Sequence, residues 1–371
     1  MLHEIFATAR FKERHHVVRP QVWVVDDTGF PKDGRSSPGV ARQYSGTLGK
    51  VGNCQIGVSV HAASDTASCP LSWRLFLPES WDGTGAAGRR EACRIPATEH
   101  HRPKWQLALN ILDELAATGL RPAVLVADTG YGANADFRHG LEDRGLAYVL
   151  QAKAEMTAHG QDAEPHQPEY GGRGPRPMPR YRTRPVSLRE HVLAAGRGRG
   201  RTVVWRKGSK AALSSHFVLL RVRLAGRRPK PAPDGKIPLV WLIAQWPEGE
   251  SEPVKYWISN LPADIPAKDL VRLAKARWRI EHDYHELKRP WAWTTSRAVP
   301  SPAGTGTSPS SPPPTCSSPN SGPAQKPLPG PDPLPGPGPP PTPHRHLDRH
   351  LPHLPTGSSM AALRHQLTKH Y

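Results

Sequence analysis

Apolar and polar positions fall into blocks of different period along the chain. Residues 21–27 (QVWVVDD) are an apolar run closing on two acids, which predicts a buried strand with polar chemistry at its C-terminal end. A Gly-rich connection follows (TGFPKDGRSSPG), and residues 40–45, 54–62 and 71–77 read as further strands. Successive strands joined by short turns predict an antiparallel meander. Residues 104–118 (KWQLALNILDELAAT) carry Leu107, Ile111, Leu112 and Leu115 at helical spacing, with Gly119 just past the end. Residues 122–128 (PAVLVAD) form a second apolar run ending in acid, followed by a short helix over 134–144 and a strand over 146–151. The alternation of strand, helix and strand predicts a mixed sheet with helices packed on it. Residues 157–185 are polar and Pro-rich and read as an exposed loop. Strand patterns return at 202–207, 216–224, 237–246 and 255–259, and residues 265–288 read as one helix, with Pro266 near its first turn and Asp269 as an N-terminal acid.

From residue 289 this periodicity stops. About half of the 43 prolines lie beyond it, in runs such as PLPGPDPLPGPGPPPTP that can supply neither ladder nor helix hydrogen bonds. The chain therefore divides into a short leading remnant (1–20), a core over 21–288 with a β-rich insertion at about 200–260, and a disordered Pro-rich tail (289–371). The net charge of +18 and pI of about 10.1 point to a polyanionic partner, most often nucleic acid, although a solvated basic surface has the same signature. The 4 cysteines show no zinc spacing and suit a reducing cytoplasm. No stretch of 18 apolar residues predicts a membrane span, and the first residues lack the apolar run of a signal peptide.

Three positions could carry chemistry. Asp26 and Asp27 end the first buried strand, Asp128 ends the second, and Glu281 lies in the last helix. Acids at neighbouring strand ends face the crevice where α/β sheets place their sites. Ligand sets made only of oxygen suit Mg²⁺ or Mn²⁺, and two such ions can polarise a phosphodiester. Each acid taken singly reads at least as well as a cap or turn residue. In the helix, Arg277, Glu281 and Lys288 fall within roughly 40° of one another at about 100° per residue, beside an apolar stripe of Leu273, Ile280, Tyr284 and Leu287. Trp205, Trp241, Trp246 and Trp257 read as core. His344, His346, His350 and His353 lie in a Pro-rich context that offers a metal no supporting partners.

These residues also carry a resemblance. Arg277-x3-Glu281-x6-Lys288 is similar to the signature around the catalytic Glu in one branch of bacterial insertion-sequence DDE transposases. The runs Asp26-Asp27-Thr28-Gly29-Phe30-Pro31-Lys32, Val40-Ala41-Arg42-Gln43-Tyr44, Leu48-Gly49-Lys50-Val51-Gly52-Asn53-Cys54-Gln55 and Val126-Ala127-Asp128-Thr129-Gly130-Tyr131-Gly132 resemble the insertion-sequence-701 family. The resemblance implies a ribonuclease-H-like fold with a β-rich insertion and a DNA transposase holding two Mg²⁺ or Mn²⁺ ions on Asp27, Asp128 and Glu281. Neighbouring side chains on a strand face opposite ways, so only one of Asp26 and Asp27 can face the metals. The resemblance favours Asp27, with Asp26 as the alternative. It further implies phosphate contacts by Arg277 and Lys288, with Lys32, Arg35, Arg42 and Lys50 as additional candidates. The partners it implies are transposon ends and target DNA, and the active form is a homo-oligomer.

The sequence departs from that family in three places. Ala274 stands where the signature has Tyr, only about 25 residues precede the first acid, and the text changes just after Lys288. There the chain reads Trp291-Ala292-Trp293-Thr294-Thr295-Ser296, encoded TGG-GCN-TGG-ACN-ACN plus a Ser codon. Read one base earlier, these codons can give Leu-Gly-Leu-Asp-His, the family's continuation. The tail is therefore expected to be an out-of-frame translation, leaving a damaged enzyme with weak or absent activity.

Overall fold

The computed structural model describes residues 20–46, 49–174, 179–208, 211–226, 230–232 and 234–287. Its organising strand is β1 (Val22–Pro31), whose first half is apolar on both faces and fully covered. Trp23 and Val25 point to one side, Val24 and Asp26 to the other, as the pleat requires. β1 runs past the two acids, so the start of the expected Gly-rich connection is strand. Its partners are β3 (Lys50–Ala63), antiparallel, and β5 (Leu125–Ala127), parallel. β2 (Ala41–Ser45) and β4 (Ser68–Phe76) divide the far edge of β3: Cys54 pairs with Pro31 and with Ala41, and Ile56 with Gly29 and with Phe76. β6 (Tyr148–Ala152) extends the sheet parallel to β5. The order β4-β3-β1-β5-β6, antiparallel on one side of β1 and parallel on the other, is the mixed sheet expected from the sequence pattern, and it is ribonuclease-H-like, as the resemblance implied.

The β-rich block does not form a separate sheet. It comprises β7 (Thr157–Gly160), β8 (Pro165–His166), β9 (Arg180–Tyr181), β10 (Val186–Ser187), β11 (Arg201–Lys207), β12 (Ala212–Leu224), β13 (Leu239–Gln245) and β14 (Lys255–Ser259). β14 pairs with β6, which makes the block a continuation of the core sheet, 12-stranded among the described residues. β8 and β9 pair only with each other. Part of the loop expected at 157–185 is thus strand. Ala158 and His159 of β7 are buried, in a segment too short to show a period.

Helices cover both faces. After α1 (Ala87–Ala92), α2 (Lys104–Ala117) lays Leu107, Ala108, Ile111, Leu112 and Leu115 on the face carrying Trp23, Val25, Val58 and Leu125. Each fully buried Leu or Ile there contributes about 1.5–3 kcal/mol. Gly119, at φ 84°, ends α2, and the Leu120 N–H reaches the Leu115 carbonyl (3.0 Å). The one-turn helix α3 (Thr129–Gly132) and α4 (Ala135–Asp143) join β5 to β6. α5 (Leu188–Ala195) starts with a reciprocal capping box between Ser187 and Glu190.

The opposite face is covered by α6 (Ala267–Lys275) and α7 (Arg279–Leu287). The single helix expected over 265–288 is broken between them by a 3₁₀ turn, Ala276–Trp278. Leu270, Val271, Leu273 and Ala274 bury α6, and Ile280 and Tyr284 bury α7. No helix among the described residues is long and apolar enough to cross a membrane.

Candidate active site

The last paired residues of the two central parallel strands are Val25 and Ala127, in register. The next residue on each is an acid, and side chains in register on parallel strands leave the sheet on the same side. Asp26 and Asp128 therefore share the α6–α7 face, beyond Val24 and Val126. Asp26 is 7% exposed, and its carboxyl is pushed up from 3.8 to about 7. Burial is the main cause, Arg277 opposes it, and the neighbouring charges of Asp128 and Asp27 add to it. Asp128 is also raised, first by burial, against the pull of the Tyr131 N–H that it accepts at 3.3 Å.

Local sequence explains how Asp128 is held. It caps α3 while ending β5, so cap and site are the same residue. α3 passes so close to β6 that a Cβ on Gly132 would lie 2.0 Å from the Gln151 carbonyl oxygen, which only glycine avoids. The motif Asp128-Thr129-Gly130-Tyr131-Gly132 is thus a packing requirement as well as a chemical one.

Arg277, in the 3₁₀ turn, reaches into the pair. Its Nη1 donates to Asp26 Oδ2 at 2.8 Å and its Nη2 to Glu281 Oε1 at 3.5 Å. Burial lowers its pKa, but Asp26, Asp128 and Glu281 outweigh that and the net direction is upward. The Glu281 side chain is 64% exposed and meets Arg277 through a different guanidinium nitrogen from the one that holds Asp26. Asp27, favoured by the resemblance, faces the other way. Its Oδ2 accepts from Lys104 Nζ at 3.0 Å at the start of α2, and its own N–H donates to Asp26 Oδ1 at 2.9 Å. The pleat thus puts the alternative, Asp26, on the side of Arg277 and Asp27 on the side of Lys104, while Asp128 lies near enough to both for their charges to interact. Arg35, Arg42 and Lys50 are exposed and Lys32 half-buried, around the β1–β2–β3 end of the sheet. Lys288 lies outside the described residues.

A second group was not read from the sequence. Ser59, opposite Asp26 on β3, shares a 2.7 Å hydrogen bond with Tyr284 Oη. His61 Nε2 lies 3.0 Å from Ser59 Oγ, and His61 Nδ1 3.0 Å from Asp283 Oδ2. Ser68 on β4 donates to the other oxygen of Asp283 at 2.5 Å. The rings of His61, Trp73 and Tyr284 meet edge to face at 5.3–5.9 Å. These contacts fasten α7, and with it Glu281, to β3 and β4. The only sequence signal was alternation: Ser59 and His61 lie on one face of β3.

The donor set partly fits a divalent cation. Asp26 is a buried oxygen donor and Asp128 a half-buried one, and a cation would relieve the repulsion between the neighbouring acid charges. Tyr131 Oη is buried beside the acids with no hydrogen-bond partner among the described residues. Glu281 does not join them, and no group of three metal-holding side chains forms among the described residues.

Comparison with known proteins identifies a family. A family model described as DDE superfamily endonuclease matches residues 6–212, a stretch that includes Asp26, Asp27 and Asp128 and stops short of α6 and α7. The probable transposase for insertion sequence element IS701 of Microchaete diplosiphon is 26% identical over 287 residues, covering 76% of this chain and 61% of that protein. The chain thus spans about three-fifths of that relative's length. The NurA nuclease from Sulfolobus solfataricus aligns at 8% identity over 76% of this chain and 88% of its own, with a TM-score of 0.32, too low to carry an argument.

Proposed function

The chain belongs to the DDE superfamily endonucleases, and on that premise we propose that it is an insertion-sequence transposase carrying out metal-dependent cleavage and strand transfer of DNA. The observation that carries the reading is that Asp26 in β1 and Asp128 just past β5 each follow directly on the last parallel pair, Val25 and Ala127, with Asp26 held by the guanidinium of Arg277. In this reading Asp26 and Asp128 hold Mg²⁺ or Mn²⁺, and Glu281 supplies the third carboxylate. Bound metal ions would polarise the scissile phosphate and activate water or a 3′-hydroxyl for attack. Arg277 cancels part of the charge of the two acids while no cation does so, and is placed to contact a phosphate oxygen when DNA lies on the site. Lys32, Arg35, Arg42 and Lys50 would follow the DNA backbone away from the acids. The domain division of the sequence, with a catalytic unit at 21–288 and an out-of-frame tail from 289, belongs to the same proposal, as does assembly of several copies on transposon ends.

The test is strand cleavage on duplexes bearing the element's terminal repeats, with Mn²⁺ or Mg²⁺ and with EDTA. Cutting that depends on metal, and is lost in Asp26→Asn and Asp128→Asn, supports the reading. Products joined to target DNA separate transposition from plain nuclease action. One observation favours a second reading, a DNA-binding remnant without catalysis: Glu281 stands exposed and apart from the acid pair. Binding of the ends without metal, and no cutting with Mn²⁺, would establish that reading instead.

A further inference from the structure

The outer edge of β12 is interrupted. β11 pairs with it as far as Phe217, opposite Arg201, and β7 resumes at Val222, opposite Gly160. Between them the four residues from Val218 to Arg221 have no strand on that edge among the described residues. The resulting notch opens into a cavity of about 720 Å³. Its lining includes Arg199, Arg201, Arg221, His191, Gln161 and Trp241, and no carboxylate.

The charge there is built in by the sequence. Residues 196–201 read Gly-Arg-Gly-Arg-Gly-Arg, so arginines recur every second position with no side chain between them. The turn is anchored: His216 Nε2 lies 3.0 Å from the Arg197 carbonyl oxygen, and a Cβ on Gly200 would lie 2.5 Å from that same nitrogen. Arg199 and Arg201 are exposed at its end. Arg221 rises from the notch floor against Trp241, 4.9 Å from its ring centroid, and the partners of its guanidinium are neutral: the carbonyls of Leu239 (2.9 Å) and Leu261 (3.5 Å). The indole is fixed in turn by its N–H to the Pro262 carbonyl at 3.0 Å. By strand register, Arg221 pairs with Trp241, Trp241 with Ser259 and Ser259 with Val149, which is in register with Val126. Arg221 and Trp241 therefore project from the same sheet face as Asp26 and Asp128.

We propose that this notch is a second DNA contact, in which Arg199, Arg201 and Arg221 take backbone phosphates of a duplex at a distance from the acid pair. Three arginines line one concave site that has no carboxylate in its lining, in a chain of net charge +18. Planar donors of this kind match phosphate oxygens in pairs. The inference rests on the reading that the chain acts on DNA.

The experiment is fluorescence anisotropy of a labelled 30-base-pair duplex with the full chain in EDTA, titrated across salt concentration. Arg199→Ala/Arg201→Ala is compared with Arg94→Ala/Arg121→Ala, which removes the same charge from other exposed positions. Loss of two phosphate contacts flattens the slope of log K against log salt by about 1.8 and weakens binding by roughly 30-fold at 0.15 M salt. The control pair is expected to stay within about twofold of wild type. Equal slopes in the two double variants overturn the proposal, as does a larger loss for single-stranded RNA of the same length than for the duplex. Wild-type protein that binds DNA through the notch but never cuts it with Mn²⁺ refutes catalysis and leaves the notch standing; wild type that binds no DNA refutes both.

Discussion

Asp26→Asn should make the metal-free protein more stable at pH 8. In the folded chain the Asp26 carboxyl is raised from 3.8 to about 7. Between those values the folded protein keeps a proton that the unfolded chain has released, so stability falls as pH rises and is lowest above pH 7. At about 1.4 kcal/mol per pH unit, the full penalty has a ceiling of about 4 kcal/mol. Asp128 is raised in the same direction, also first by burial, and its charge acts on Asp26, so the two titrations are coupled. Asparagine keeps the shape without the charge, and Arg277 keeps its contact with Glu281 at 3.5 Å. Because the Arg277 pair weakens, we expect a net gain near 2 kcal/mol at pH 8 and little difference at pH 4. The assay is urea unfolding of both proteins in EDTA at pH 4, 6 and 8, where other acids cancel in the comparison. About 1 mM Mn²⁺ should reverse the order at pH 8, since a cation bound by the folded wild type stabilises it through mass action. The reasoning fails if the two proteins show parallel pH dependence, or if the asparagine variant is the less stable at pH 8.

The two neighbouring acids should separate by activity: Asp26→Asn is expected to lower Mn²⁺-dependent cleavage by at least about 1000-fold, and Asp27→Asn, on the Lys104 side of the sheet, by less than about 10-fold. The reverse ranking in the same assay would return the first-acid role to Asp27. Gly132→Ala should cost about 1–3 kcal/mol in urea unfolding, because its Cβ meets the Gln151 backbone; an unchanged midpoint would refute the close approach of α3 to β6. Lys275 is ringed by Trp205, Phe217 and Trp257 at 5.2–5.9 Å, and burial depresses its amine from 10.5 to about 8. Charging it costs stability below pH 8 and that cost fades toward pH 10.5, so Lys275→Met should stabilise the protein at pH 7 by a margin that shrinks by pH 10, read as the melting temperature.

The elements that organise the sheet were legible because their signal is local. Residues 21–27 and 122–128 are apolar runs that end where the chain meets the site, and the period of 104–118 fixed the buried face of α2. Which of Asp26 and Asp27 lies on the Arg277 side was not a local matter. It depends on which face of β1 turns toward α6 and α7, and a run apolar on both sides carries no mark of that. The capping pattern Ser187-x-x-Glu190 was present in the sequence and marks the start of α5, between the loop expected to end at 185 and the strand expected from 202. The break at Ala276–Trp278 has neither Gly nor Pro to announce it. Contacts such as His61 with Asp283, 222 positions apart, leave no periodic trace at all.

The 3₁₀ turn between α6 and α7 acts as a phase shifter. A 3₁₀ turn advances about 120° per residue where an α-helix advances about 100°, so three residues offset α7 by roughly 60° from a straight continuation of α6. α6 can then mesh with β6 and β11 while α7 meshes independently with β3 and β4. The two helices are geared to different strands, and the residue on the gear between them is Arg277. Repacking under α6 would reach the acid pair as a displacement of that guanidinium, while Asp283 and Tyr284 hold Glu281 in its own setting.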